Sequence, residues 1–289
     1  MASTIKKVSE LSELTTYNIT RTPENWMGFL DTASRIYKYS FNEQILIHAQ
    51  KPDATACASI EIWNKKMHRW VNRGSTGIAL IDDTGARLRL KYVFDIADTH
   101  PGRNGRIPFL WEMKPEYTNA ILDHLSDTYN LTKSEFSLPD ALQAIAAASA
   151  RDAADDYFND FQYAVPGSFL EDLDELNLKV RFRELLTSSI QYTLLRRCGF
   201  DPDEYMNAES FLNISEFDTL ATVSQLGFAA NETVRPILVD IGREIRSIEH
   251  ENYRQNHLAK PHNVSYNKFN TLKHESLETV GGNKYENAA

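Results

Sequence analysis

The spacing of apolar residues changes twice along this chain of 289 residues. Between Trp26 and Tyr37 apolar side chains recur every three or four residues, which predicts an amphipathic helix. Between residues 70 and 95 apolar and polar residues alternate, as they do along half-buried strands. The helical spacing returns at about residue 111 and continues to about residue 256. This order predicts an α+β fold: a small antiparallel sheet with helices, followed by a mostly α-helical domain.

Capping and turn residues place the first elements. Thr22-Pro23 predicts a helix start, with Thr as N-cap and Pro in the first turn. Lys51-Pro52 predicts the end of a second helix that begins near Asn42, because the residue before proline disfavours helical geometry. The pattern predicts a third helix over 59–67 and strands over 70–71, 77–81 and 87–95.

The second half of the chain is predicted to be helical nearly throughout. Candidate helices cover 114–129, 138–150, 153–163, 169–198, 208–213, 215–229 and 231–256, with capped entries at Ser137 and Asn213. The predicted organisation is a flexible or partly helical lead-in (1–20), an α+β domain (21–110), an acidic helical domain (111–257) and a disordered tail (258–289).

Charge divides the chain near residue 110. The whole chain is acidic, with a net charge of −9. Residues 1–110 contain 15 basic and 11 acidic residues, which gives +4, whereas residues 111–289 contain 16 and 29, which gives −13. Such an asymmetry indicates either a nucleic-acid partner or an acidic interaction surface. Because the chain as a whole is acidic, any nucleic-acid site should be local.

Basic, aromatic and amide side chains are interleaved between residues 35 and 81. Cations follow a phosphate backbone, and flat rings stack on unpaired bases, so this combination is typical of single-stranded nucleic-acid binding without sequence preference. Composition alone favours an ordinary solvated surface with the rings in the core. In the third strand Arg87, Arg89 and Lys91 share one face, which either meets phosphates or is simply solvated.

The candidate binding residues fall into three chemical groups. The predicted phosphate contacts are Arg35, Lys38, Lys65, Lys66, Arg69 and Arg73. The predicted stacking residues are Tyr39, Phe41 and Trp70, whereas the helical spacing of Trp63 favours a place in the core. Asn42 and Gln44 can hydrogen-bond bases or backbone, although Asn42 can instead cap its helix. Gly74 suits a turn and lets a nucleic-acid backbone approach closely.

No catalytic site is visible in the sequence, and no cofactor is predicted. His250 and His257 lie seven residues apart, roughly 10 Å along a helix, which is too far to share one metal ion. A phosphate-binding P-loop is missing, and neither Cys57 nor Cys198 has a metal ligand at the usual spacing. The four aspartates between residues 152 and 160 suit a solvated or partner-facing surface better than a metal site.

Two unpaired cysteines, no signal-peptide pattern and no membrane-spanning run predict a soluble cytoplasmic protein.

The segment from Phe41 to Ile81 resembles the N-terminal domain of ArdC-type anti-restriction proteins of conjugative elements. The resemblance is carried by Asn42 with Ile45-Leu46, by the helix of Trp63, and by the run from Val71 through Gly74 and Gly77 to Ile78. It is strong over residues 20–97, and the segment is also similar to N-terminal regions of large mobile-element proteins of Firmicutes. The zincin motif of the ArdC C-terminal domain is absent, so protease activity is not implied.

The resemblance implies a non-catalytic single-stranded DNA-binding protein of a conjugative mobile element, which protects or handles transferred DNA. The alternative expectation is an anti-defence module whose acidic helical domain binds a host nuclease, or another protein of the mobile element, through its net charge of −13. Neither alternative involves a membrane, and one role can reside in each domain.

Overall fold

The computed structural model describes residues 4–131, 137–207 and 209–258. Contacts group the chain into a compact unit, Met1–Glu249, and a second unit, His250–Ala289, of which only residues 250–258 are described. The helices are α1 (Ile5–Asn18), α2 (Pro23–Arg35), α3 (Phe41–Gln50), α4 (Thr118–Tyr129), α5 (Leu138–Ala164), α6 (Glu175–Arg197), α7 (Pro202–Tyr205) and α8 (Leu220–Leu258). The strands are β1 (Cys57–Ala58), β2 (Arg69–Val71), β3 (Ile78–Asp82), β4 (Arg89–Asp95) and β5 (Thr99–Pro101).

The strands form two small antiparallel sheets. One has the order β1-β4-β3, and the other pairs β2 with β5. With helices covering most of the remaining chain, this architecture confirms the predicted α+β class. β2, β3 and β4 lie close to their predicted positions, whereas β1 and β5 are too short to show an alternating pattern in the sequence.

Helix α3 separates two hydrophobic cores. Phe41 and Ile45 belong to the larger core, which α2, α4, α5, α6 and α8 complete. Leu46 and Ile47 belong to a smaller core, in which α1 and α3 pack against β3 and β4. The larger core therefore contains residues from both sides of the boundary proposed near residue 110, and that boundary stays a prediction.

Capping explains where several helices begin. Thr22 caps α2 by accepting from the backbone N–H of Asn25 at 3.3 Å, with Pro23 as the first helical residue, as predicted. Ser137 and Asp140 form a capping box at the start of α5, which was also predicted. Asp174 caps α6, so this helix begins at Glu175 and not near residue 169.

Several predicted boundaries were wrong. Residues 5–18 form α1, which agrees with the partly helical alternative for the lead-in. The helices predicted at 138–150 and 153–163 are one helix, and those at 215–229 and 231–256 merge into α8 despite its internal Pro236. The capped entry predicted at Asn213 lies within a 3-10 turn, Leu212–Glu216. Apart from residue 258, the tail predicted to be disordered lies outside the described residues.

A close contact between α3 and α8 gives a test of the packing. A methyl group at Gly227 would clash with the ring of Phe41, so Gly227→Ala should cost about 1–3 kcal/mol of unfolding free energy. The matched control is Gly28→Ala in α2, where an added Cβ meets nothing within 4 Å. That substitution should stabilise the protein by about 0.5–1 kcal/mol, because alanine favours the helix. Urea unfolding of both variants checks the opposite signs; equal effects would contradict the packing.

Candidate nucleic-acid interface

Strands β2 and β5 form a two-stranded ribbon that exposes an indole ring. Trp70 is paired with His100, and the neighbouring pairs are Arg69 with Pro101 and Val71 with Thr99. Successive side chains of a strand point to opposite faces, so Trp70 projects away from its two neighbours. Trp70 is 51% exposed and Arg69 is 8% exposed. The ribbon therefore turns Trp70 and His100 toward solvent.

Arg69 braces the ribbon from its inner face. Its Nε donates to Thr99 Oγ1 at 2.8 Å, and its Nη2 donates to the Thr99 carbonyl at 3.2 Å. The Thr99 hydroxyl in turn donates to the carbonyl of Ile96 at 2.8 Å. The prediction that Arg69 contacts phosphates was therefore wrong, because its guanidinium is buried and occupied in joining β2 to β5.

A glycine leaves room for the indole of Trp70 beside the backbone. A Cβ at Gly102 would come within 2.8 Å of the indole Nε1 and 3.1 Å of the His68 carbonyl. The N–H of Gly102 donates to that same carbonyl at 2.9 Å. His68 adopts a φ of 49°, in the left-handed region, as the chain enters β2. The missing side chain at position 102 thus allows the ring to rest beside the turn.

Five exposed cations lie on the segments that flank β2 and β5. Lys65 and Lys66 end the π-helical turn Ile62–Lys66 just before β2, and Arg73 lies in the turn after it. Arg103 and Arg106 follow β5, and the N–H of Arg106 donates to the Met67 carbonyl at 2.7 Å, which brings this loop back to β2. Within the described ranges, no carboxylate forms an ion pair with these five side chains. We call residues 65–74 and 99–106 the basic ribbon.

Two of these cations, Arg103 and Arg106, were not among the predicted binding residues. Arg103 and Arg106 lie about 30 residues beyond β2, and the pairing of β2 with β5, with backbone hydrogen bonds to Met67 and His68, brings their loop to the ribbon. The run His100-Pro-Gly-Arg-Asn-Gly-Arg106 was visible as a basic glycine-containing loop. Its connection to the site depends on strand pairing between segments that are distant in sequence.

Two candidates at the start of α3 are core residues. Phe41 is 1% exposed and meets the ring of Phe29 edge-on, with centroids 5.6 Å apart. Gln44 is also 1% exposed, and its Nε2 donates to Asn231 Oδ1 at 2.8 Å and to the Tyr39 carbonyl at 3.1 Å. The predictions of base stacking by Phe41 and of nucleic-acid hydrogen bonds by Gln44 were therefore wrong.

Arg35 and Tyr39 are half-buried, and their polar groups are already used. Arg35 Nε donates to the Ala54 carbonyl at 3.0 Å, and the Tyr39 hydroxyl donates to the Cys57 carbonyl at 2.8 Å. Burial raises the pKa of Tyr39. Both side chains hold the segment between α3 and β1 in place and lie outside the basic ribbon.

The remaining candidates are exposed. Lys38 and Asn42 are solvent-accessible, and Ser40, not Asn42, is the N-cap residue of α3. Gly74 has a φ of 91°, so the turn after β2 needs glycine at this position. Trp63 is 2% exposed and its indole donates to the Phe94 carbonyl at 2.8 Å, in agreement with the core position that its spacing favoured.

The face of β4 that was predicted to be basic and exposed meets α3 near its centre. On the predicted basic face, Lys91 pairs with Glu43 of α3 at 2.8 Å and Val93 is buried. Hydrogen bonding to Glu43 raises the pKa of Lys91. On the opposite face Leu88 is 53% and Tyr92 is 43% exposed. Of the set Arg87, Arg89 and Lys91, the two arginines are exposed and Lys91 is half-buried.

The described residues carry few features of other site types. Burial raises the pKa of both thiols, Cys57 and Cys198, to about 12, so both are protonated at neutral pH. Across the described ranges there is no group of three or more His, Cys, Asp or Glu placed to hold a metal ion. None of the helices described is both long and apolar enough to span a bilayer.

Comparison of the chain with protein-family models, with curated proteins and with solved structures finds no match. The assignment of a function therefore depends on the geometry of the ribbon and on the resemblance described above.

The exposure of the tryptophans predicts a quenching experiment. Trp70 is 51% exposed, whereas Trp26, Trp63 and Trp111 are at most 3% exposed. Iodide should therefore quench only the part of the emission that comes from Trp70, and Trp70→Phe should remove that part. The control is Tyr92→Phe, which should leave the quenchable fraction unchanged. Iodide quenching that persists in Trp70→Phe would show that another indole is accessible.

Proposed function

We propose that the chain binds single-stranded DNA without sequence preference through the basic ribbon. The observation that carries the proposal is the exposed indole of Trp70 on segments that carry five exposed cations, none of which forms an ion pair with a carboxylate among the described residues. Cations attract the phosphate backbone, and the ring offers a stacking platform for one base. His100, the cross-strand partner of Trp70, is also exposed and offers a second ring on the same face of the ribbon.

Single strands suit this surface better than duplexes. An exposed ring can stack on a base only if that base is unstacked from its neighbours. Side chains of the ribbon are mainly cations and rings, which recognise phosphates and base faces rather than base edges. Both features favour binding that tolerates any sequence.

The resemblance to ArdC-type N-terminal domains supports a cellular context for this binding. In that context the protein is a non-catalytic, cytoplasmic component of a conjugative mobile element. Transferred DNA enters the recipient as a single strand, and a protein that coats it protects or handles it before the complement is made. Anti-restriction in this sense requires binding alone, and no reacting group of the ribbon is assigned a chemical role.

A second function, protein binding by the helical part, is favoured by a separate observation. The connection between α5 and α6 exposes large apolar side chains among carboxylates. An inhibitor or adaptor that docks on a basic protein needs such a surface.

The DNA-binding proposal is tested by fluorescence anisotropy with a labelled oligo-dT at low salt. Because phosphates and stacking both contribute, Trp70→Ala should weaken binding about 5- to 150-fold, which corresponds to about 1–3 kcal/mol for one stacked base. The pair Arg73→Glu with Arg103→Glu should weaken it further. The affinity of the wild-type chain should fall steeply as salt is raised.

The matched control is Lys6→Glu with Lys7→Glu on α1, which changes the net charge by the same amount on an exposed helix outside the ribbon. This pair should retain most of the affinity. If the control pair weakens binding as much as the ribbon pair, or if wild-type protein does not bind oligo-dT at low salt, the ribbon is not the binding site. A duplex of the same length should compete poorly.

A further inference from the structure

The connection between α5 and α6 is a well-packed corner. Phe161, near the end of α5, stacks on Phe182 of α6 with ring centroids 4.3 Å apart. Within the connection, the Ser168 hydroxyl donates to the Val165 carbonyl at 2.6 Å, and Leu170 is fully buried. The N–H of Phe169 donates to Asp218 Oδ1 at 3.0 Å, which ties the connection to the segment before α8. The backbone here is held in one arrangement by hydrogen bonds and buried side chains.

Three large apolar side chains project from this corner into solvent. Tyr163 is 87% exposed, Phe169 is 75% exposed and Leu176 is 73% exposed. Single exposed apolar residues are common on protein surfaces, but a group of them at one end of a helical hairpin is typical of an interaction site. Leu170 and Leu178 in the same segment are buried and fix it to the core. The three exposed residues are therefore not needed for that packing.

The segment that carries these apolar residues is acidic, and its nearest basic neighbours in sequence are Arg151 and Lys179. Between residues 152 and 178 the chain contains no Lys, Arg or His. The same segment contains Asp152, Asp155, Asp156, Asp160, Glu171, Asp172, Asp174 and Glu175. We call residues 152–178 the acidic corner.

Some of these carboxylates have structural roles and others do not. Asp155 pairs with Lys179 at 2.6 Å, Asp174 caps α6, and Glu171 accepts from the N–H of Gly167 at 2.8 Å. Asp160 and Asp172 are exposed, and among the residues that the structure describes they make no hydrogen bond or ion pair. Their charge is therefore available to a partner.

We propose that the acidic corner binds a polypeptide segment rich in Lys and Arg that also carries apolar side chains. Apolar groups of such a segment remove Tyr163, Phe169 and Leu176 from water, while its cations pair with the surrounding carboxylates. A purely apolar partner would leave those carboxylates desolvated and unpaired, which is costly. Nucleic acids and anionic membranes are repelled by the same charge. This proposal stands independently of DNA binding by the basic ribbon.

The test uses the full chain and a fluorescein-labelled helical peptide that carries Lys on one face and Leu and Phe on the other. Two control peptides keep the length: one has Gln in place of Leu and Phe, and the other has Glu in place of Lys. The first peptide should bind at least 10-fold more tightly than either control, and its affinity should fall with salt. Equal binding of the first peptide and the Gln control would overturn the proposal, because the apolar contacts would then contribute nothing.

Surface variants locate the binding. Phe169→Ser with Leu176→Ser should weaken the peptide complex at least 10-fold and should leave oligo-dT binding unchanged. The matched control is Leu14→Ser with Leu88→Ser, which removes two other exposed apolar side chains, 58% and 53% exposed. Thermal unfolding shows whether each variant is folded, and Asp160→Asn with Asp172→Asn gives a second, milder test by weakening the peptide complex without removing apolar contacts.

Two results would contradict the proposal. Peptide affinity that is the same in wild type and in Phe169→Ser/Leu176→Ser would place the binding elsewhere. Concentration-dependent self-association in sedimentation velocity that only this variant abolishes would show that a second copy of the chain occupies the acidic corner.

Discussion

The position of the basic ribbon depends on one buried carboxylate. Asp95, at the end of β4, is 1% exposed and accepts from the backbone N–H groups of Thr55 at 2.7 Å, Ala56 at 2.9 Å and Ala97 at 2.9 Å. A buried charge is tolerated where hydrogen-bond donors replace its lost hydration, and these three donors do so. By holding residues 55–56 and the turn at 96–98 together, Asp95 sets where β5 begins. The pairing of β5 with β2 then sets the position of Trp70 and His100.

The basic and aromatic residues of the first half divide between scaffold and surface. Arg69 shows why: a strand places alternate residues on opposite faces, so its neighbour Trp70 is exposed while the guanidinium of Arg69 hydrogen-bonds to Thr99.

Phe41 and Gln44 are held in the core by α8, through Gly227 and Asn231. Those contacts join segments that are more than 180 residues apart, and no local pattern around Phe41 contains that information. The helical spacing of Trp63, by contrast, correctly indicated burial, and the period change at residue 70 correctly indicated strands.

The rest of the site could not be predicted for a related reason. Arg103 and Arg106 come to the ribbon through backbone hydrogen bonds to Met67 and His68, and β5 is only three residues long. The face of β4 that is exposed could not be decided from its alternation either, because both faces carry plausible surface residues. Only the ion pair between Lys91 and Glu43 and the burial of Val93 settle it. The charge asymmetry of the chain was visible in the sequence. In the structure the positive charge is found on the basic ribbon and part of the negative charge on the acidic corner, so the two surfaces suit an anionic and a cationic partner, respectively.

The central claim, that the basic ribbon contacts single-stranded DNA, is tested most directly by photo-cross-linking. Oligo-dT that carries 4-thiothymidine at every third position is irradiated with the full chain at low salt, and cross-linked peptides are mapped by mass spectrometry. Cross-links within residues 65–74 and 99–106, centred on Trp70 and His100, are the predicted result. Efficient cross-linking that maps only to α5, α6 or other segments outside the ribbon would contradict it.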